Sequence, residues 1–442
     1  MKVGFLLDYL KFRVDILELV KGFQQQEGIE LVLFVEKSQA HWVDPTCTIR
    51  IIEYYPPTNF HNRLILLFYD LFGTTPTPPC FFYFKKRQML QKANSGKFKL
   101  WVYYWFRILL PKFLSFDQML SWYRPFVNKS IVADIDVFLV LTPHEQNDFL
   151  ALIAQTDKPI FAYQHSWDHS FKFKKISTNR FHYLTWGDLL SEDLQTAFSI
   201  PPSQTSTIGS SQLALLNKIS SNNITNESSS NSEPYIYFVA AFGYKAAAIQ
   251  EVKLVKEVAK RMELHAPALK LVFRQYPLLR DNDVYQELQN IENLVFDDYS
   301  IDGKDMLLSY ADVEHRVKMI AGATAVFHAG TTVGLEAAFL DRNVVYLCCQ
   351  PEEDSSTLSL SAYWKQYHLK RYYYNTNFPN VVTEISALGA VIQAVASKDD
   401  VLNGYSTYLR RVSQETNYAK IIHNINDGMV RILKNNYNEK KI

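Results

Sequence analysis

Between Thr324 and Leu347 the chain reads TAVFHAGTTVGLEAAFLDRNVVYL. A short apolar run, Ala325 to Phe327, ends at His328, and a small-residue turn follows, Ala329-Gly330-Thr331-Thr332. An apolar helical pattern then begins, with Leu335, Ala338 and Phe339 on one face and Glu336 in its first turn. A second apolar run, Val344 to Cys348, closes the unit. This is strand, tight turn, helix, strand. The first N–H groups of a helix have no partner inside the helix and carry partial positive charge. Gly330 lets the backbone approach a ligand closely, the two threonines add hydroxyl donors, and such a corner suits a diphosphate. The same residues also read as a plain helix start that binds nothing.

The rest of the chain repeats this alternation. Lys2 to Leu7 is apolar and β-like, Leu17 to Phe23 has helical spacing, and Leu31 to Val35 is apolar again. That βαβ opening implies a parallel sheet. Further strands are expected at Val137–Leu141, Pro159–Tyr163 and Phe181–Thr185, with a helix over Asn147–Gln155. From Asn217 to Pro234 Ser and Asn dominate and apolar residues nearly vanish, which reads as a linker or loop. Pattern resumes with strands at Tyr235–Ala240, Lys270–Phe273 and Leu294–Phe296. Helices are expected near Ala248–Met262, Ile301–Lys318, Ile385–Ala396 and Tyr405–Lys434.

A chain of 442 residues, 48% of them hydrophobic, is long enough for two cores. The expected organisation is an N-terminal Rossmann-like domain over 1–216 with an aromatic insertion near 60–123. The polar linker over 217–234 and a C-terminal Rossmann-like domain over 235–442 follow, the last helix being able to pack back on the N-terminal domain. A net charge of +1 and the lack of an Arg/Lys-rich run give no reason to expect nucleic acid as a partner. Cys47, Cys80, Cys348 and Cys349 fit no zinc spacing, and a reducing cytosol is the simplest home. The N-terminus resembles a first strand, not a secretory signal. No window reaches the length of a transmembrane helix.

Aromatic residues are abundant, 27 Tyr and 29 Phe, and many lie between Phe60 and Tyr123. The stretch KFKLWVYYWFRILLPKF, Lys97 to Phe113, carries two readings: a buried helix with Arg107 at a rim, or a segment resting on a membrane surface.

Three segments resemble GT-B-type glycosyltransferases, above all those that build bacterial surface polysaccharides. The first runs from His165 to Leu213 and opens on HSWDHS. The second is KLVFRQYP, similar to the Arg-X-His-Pro turn of these enzymes, although Tyr276 stands where relatives often carry His. The third is the HAGTTVGLEAAFLDRNVVYL unit, which resembles their donor-binding corner. The resemblance implies an α/β fold of two Rossmann-like domains facing each other across a cleft. It further implies that the C-terminal domain holds a nucleotide-sugar and the N-terminal domain the acceptor.

The reaction needs the departing phosphate stabilised and the acceptor hydroxyl deprotonated. For the first task the candidates are Gly243, Lys245, Arg274, Gln275, His328, Gly330, Thr331 and Thr332. The resemblance adds Glu336 as an acceptor for ribose hydroxyls and an acid of the run Glu352-Glu353-Asp354, with Glu353 chosen, for donor-sugar hydroxyls. A solvated lysine, a surface ion pair and a helix-dipole partner are the alternative readings of Lys245, Arg274 and Glu336. For the base, Asp168 ranks first, His165 second and Asp8 third, ahead of His144 and His169. Asp297-Asp298 is adjacent rather than spaced like a DXD metal motif, and a metal-independent reaction with no bound cofactor is expected.

The expected function is therefore a cytoplasmic glycosyltransferase, peripheral at the inner face of the plasma membrane if the 97–113 segment rests on lipid. It would move a sugar from a nucleotide-sugar donor to a glycan or lipid-linked acceptor. A nucleotide-sugar 2-epimerase, a polyol-phosphate transferase of the teichoic-acid type and a non-catalytic nucleotide-binding relative are the rivals.

Overall fold

The computed structural model describes residues 1–7, 14–43, 46–52, 60–74, 79–80, 82–84, 86, 96–123, 129–141, 152–168, 181–223, 233–279, 283–298, 309–351 and 360–439. The chain divides into two compact units, Met1–Gln212 with Val412–Ile442, and Leu213–Arg411.

The first unit holds strands β1 (Lys2–Leu6), β2 (Glu30–Glu36), β3 (Thr48–Ile52), β4 (Val137–Leu141), β5 (Ile160–Tyr163), β6 (Phe181–Thr185) and β7 (Thr205–Thr207). They form one parallel sheet in the order β3-β2-β1-β4-β5-β6-β7. Strands β4, β5 and β6 are buried at every residue, the signature of a sheet covered on both faces. Its helices are α1 (Val14–Gln24), α2 (Phe60–Phe72), α3 (Gly96–Leu109), α4 (Phe116–Trp122) and α5 (Asp188–Phe198). Helix α1 buries Ile16, Leu19, Val20 and Phe23 at helical spacing. Helix α4 starts at a reciprocal capping box between Ser115 and Gln118.

Helix α6 (Ser211–Asn223) follows, so the Ser/Asn-rich segment stays helical through Asn223, and residues 224–232 lie outside the described residues. The second unit has strands β8 (Tyr235–Val239), β9 (Lys270–Arg274), β10 (Leu294–Phe296), β11 (Ala325–His328), β12 (Asn343–Leu347) and β13 (Val381–Val382). All pairings are again parallel, in the order β10-β9-β8-β11-β12-β13. Its helices are α7 (Lys245–His265), α8 (Tyr310–Gly322), α9 (Thr332–Phe339), α10 (Leu360–Trp364), α11 (Tyr367–Tyr372), α12 (Leu388–Ser397) and α13 (Tyr405–Arg410). Helix α8 is capped by Ser309, whose hydroxyl accepts from the Asp312 N–H. The part of the expected 301–318 helix before Ser309 lies outside the described residues.

The single helix expected over Tyr405–Lys434 is two helices. Helix α13 stops at Arg410, and α14 (Tyr418–Glu439) lies in the first unit beside α1. There a Cβ on Gly22 would come within 2.1 Å of Ile422, and the Tyr418 hydroxyl donates to the Asp15 carbonyl at 3.2 Å. No Gly or Pro marks that break. Strands β3, β7 and β13, each at an edge of its sheet, are not among the expected strands. Among the described residues no helix is long and apolar enough to cross a membrane.

In both sheets the strand order reverses once, between β1 and β4 and between β8 and β11. In open parallel sheets ligands bind outside the carboxyl ends of the strands at such a reversal.

Candidate functional site

The loop after β8 and the turn after β11 share the reversal point of the second sheet, because Val239 pairs with His328 at the ends of the two strands. This edge gathers Gly243 and Lys245 after β8, Arg274 and Gln275 at the end of the neighbouring β9, and His328, Gly330, Thr331 and Thr332 at the end of β11.

The turn itself is held on every side. The His328 ring is fully buried, and its Nδ1 accepts from the Gly330 N–H at 3.0 Å and the Thr331 N–H at 3.3 Å. Burial pulls the imidazole down to about 3, so the ring is neutral and carries its proton on Nε2. Trp364 Nε1 donates to the Ala329 carbonyl at 3.2 Å, the Tyr363 hydroxyl to Gly330 at 3.1 Å and the Tyr373 hydroxyl to Thr331 at 2.7 Å. Two N–H groups and three carbonyls of the turn thus have protein partners. Gly330 sits at φ 112°, where a side chain is strained, and a Cβ there would press on Leu369 at 2.9 Å. Two of the donors that the sequence offers to a diphosphate face His328 instead. The Thr331 hydroxyl makes no cap hydrogen bond.

The loop after β8 is fixed by a buried acid. Glu251 of α7 accepts the Ala241 N–H at 2.8 Å, is fully buried, and is pushed up to about 8 by burial. A T-shaped contact of 4.9 Å between Phe242 and Tyr363 ties this loop to the residues bracing the turn. Lys245, the first residue of α7, is half exposed and pairs with exposed Asp283 at 2.8 Å.

Arg274 is buried in an ion network. Its Nη1 donates to Asp297 at 2.8 Å and its Nη2 to Asp312 at 3.0 Å. Asp297 also accepts from the Tyr237 hydroxyl and pairs with His315 Nε2, each at 2.6 Å. Burial opposes its ionisation, yet the Tyr237 and His315 hydrogen bonds and the Arg274 charge hold its carboxyl below the ordinary range. Glu336 is buried against Arg316, whose Nη2 donates to Oε1 at 3.1 Å.

Of the residues proposed for proton abstraction, His165 is buried and Asp168 half-buried, both just after β5 in the first unit. The Ser166 hydroxyl donates to Asp168 Oδ1 at 2.7 Å. Asp8, His144, His169, Glu352, Glu353 and Asp354 lie outside the described residues.

Sequence reasoning missed Glu251, the Trp364, Tyr363 and Tyr373 brace, and the partners of Arg274. Glu251 was readable, since it interrupts the buried stripe Ala247, Ala248, Val252, Val255. The Asp312-His315 spacing of one helical turn was a second signal. The brace had none, because aromatic residues 33 to 42 positions away join the turn only through tertiary packing.

No family model matches the chain, and no curated protein does. Solved structures match over nearly its full length. A co-structure of S. aureus MnaA with UDP is similar at a TM-score of 0.55 and 10% identity, covering 98% of this chain and 97% of the other. A glycosyltransferase from Rickettsia africae is similar at 0.52 and 8% identity, covering 98% and 99%. The UDP-N-acetylglucosamine 2-epimerase of Rickettsia bellii is similar at 0.51 and 11% identity, covering 98% of each chain. The chain has a two-domain α/β fold of the GT-B type. The likeness is one of fold, and the GT-B fold carries more than one chemistry.

Proposed function

We propose that the protein is a nucleotide-sugar-dependent glycosyltransferase that extends a glycan or lipid-linked acceptor in bacterial surface polysaccharide biosynthesis. The observation that carries the reading is the rigid turn at the reversal point of the second sheet. Its conformation is fixed before any ligand arrives, which removes an ordering cost from binding.

In this reading the donor's diphosphate meets the start of α9, with Thr331 and Thr332, and the 240–245 loop with Gly243 and Lys245. Lys245 suits the role because its partner Asp283 is exposed, so the pair exchanges easily for a phosphate. Gln275 completes the edge. Arg274, His328 and Glu336 act through the fold: each has polar atoms committed to buried protein partners, and each orients an element that reaches the edge. Asp168 is the proposed base and His165 its alternate, and no metal is required for either task. The similarity to MnaA in a co-structure with UDP favours a uridine nucleotide among donors.

A 2-epimerase is the second reading, favoured by the similar fold of the Rickettsia bellii enzyme. Incubation with a panel of nucleotide-sugars and no acceptor separates the two. Inversion at the sugar C2 supports the epimerase, whereas a transferase leaves the sugar intact and releases nucleotide only when a glycan or lipid-linked acceptor is added.

A further inference from the structure

Helix α3 is inside out. Phe98, Trp101, Trp105, Ile108 and Leu109 recur at spacings of three and four and so share one face. That face is exposed, Phe98 at 71%, Ile108 at 70% and Trp101 at 58%. Arg107 points the other way and is buried, its Nη1 donating to the Asp70 carbonyl and lying 3.3 Å from the Asp70 carboxylate. A helix folding onto its own core would place these residues the other way round.

Neighbouring α2 is apolar on both sides: it packs Ile65, Leu66, Tyr69 and Phe72 on the core and carries a second apolar face beside α3. Phe60, Leu64 and Leu67 lie at i, i+4 and i+7 and are exposed, while Asp70 meets Arg107. Phe68 bridges the rim of the same surface, 6.3 Å from Phe113 and 6.4 Å from Trp122. A groove of about 400 Å³ between Leu64, Leu67, Phe68 and Trp122 indents it. An apolar surface built from two adjacent helices exceeds the scatter of single exposed apolar residues that monomers tolerate.

Charge says what covers it. From Phe60 to Tyr123 the sequence carries nine Lys and Arg against two Asp, a net of +7, whereas the whole chain is only +1 and the remainder is therefore −6. The basic excess is confined to the stretch that bears the exposed apolar face. Trp and Phe beside Lys and Arg is the chemistry of an anionic lipid–water interface.

We propose that the outward faces of α2 and α3 dock the protein on an anionic lipid bilayer, with Trp101 and Trp105 at headgroup depth. The surface lies on the first unit and does not depend on the reaction assigned to the second.

The test uses the full chain and vesicles of phosphatidylcholine, alone or mixed with phosphatidylglycerol. The chain floats with the mixed vesicles at least about tenfold more tightly than with phosphatidylcholine, and its tryptophan emission shifts to the blue. The double substitution W101S/W105S reduces binding by about tenfold or more and leaves the melting temperature unchanged, since both residues are exposed. L64Q/L67Q on α2 acts in the same direction. Equal binding to both vesicle types, or variants that bind as wild type, overturns the proposal. So does a wild-type chain that self-associates and ignores vesicles while W101S/W105S is monomeric, which would make the face a contact between copies.

Discussion

His328 and Gly334 are in contact through a space too small for any side chain: a Cβ on Gly334 would lie 2.3 Å from His328 Nε2 and within 2.8 Å of two further ring atoms. The first turn of α9 therefore rests on the imidazole, and the same imidazole accepts two N–H groups of the turn before it. Strand end, turn and helix start form one packed object.

Gly334→Ala must push the ring aside and break those hydrogen bonds. We expect a loss of about 1–3 kcal/mol in a denaturant melt and weaker nucleotide binding with it. Wild-type stability would show that the ring and the helix are not in contact as described.

Glu251 makes stability depend on pH. Its carboxyl sits at about 8 in the fold, against an ordinary value of 4.5, so the folded protein holds a proton that the unfolded chain has released. That contribution is complete below about 4.5 and lost as pH rises toward 8, by up to about 1.4 kcal/mol per pH unit. His328 acts in the opposite sense, from 6.5 down to about 3, because the fold holds it neutral. The interval from 6.5 to 8 consequently isolates Glu251 from His328. Glu251→Gln keeps the acceptor for Ala241 and removes the charge, so melting temperatures across that interval should become flatter than in wild type. An identical slope in the variant excludes Glu251 as its source.

The strands and the site edge were legible in the sequence to different depths. Runs such as Val137–Leu141 and Ala325–Phe327 announce themselves because both faces of the sheet are covered, leaving no polar residue to blur the pattern. The turn at 329–332 was legible as a turn. Whether its N–H groups face a ligand or a neighbouring side chain was not, since His328 can turn its ring either way in the same sequence. Arg274 was legible as a charged residue at a strand end, but its partners Asp297 and Asp312 lie 23 and 38 residues on and reach it only once β10 pairs with β9 and α8 packs on the sheet. The orientation of α3 is the reverse case, because amphipathicity gives two faces and does not say which one water sees.

Arg274→Ala leaves Asp297 and Asp312 buried beside each other without their shared cation. We expect a destabilisation of about 3–5 kcal/mol, the range for breaking a buried pair by removing one partner. A variant that melts as wild type but loses nucleotide affinity would instead place Arg274 on the ligand.

Lys245→Ala should separate binding from folding in the opposite way. Both partners of its ion pair are exposed, so the melting temperature should stay at the wild-type value. Nucleotide affinity should fall by about tenfold or more if the ammonium reaches phosphate. Asp168→Asn, in the other unit, should keep nucleotide affinity and lower turnover by about a hundredfold or more.

Hydrogen–deuterium exchange of the full chain with and without UDP tests the central claim most directly. Bound nucleotide should slow exchange in peptides covering 240–246 and 329–335 and leave β3 and β7, at the edges of the other sheet, unchanged. Binding of UDP that protects neither of those two segments would contradict a donor site at the reversal point of the second sheet.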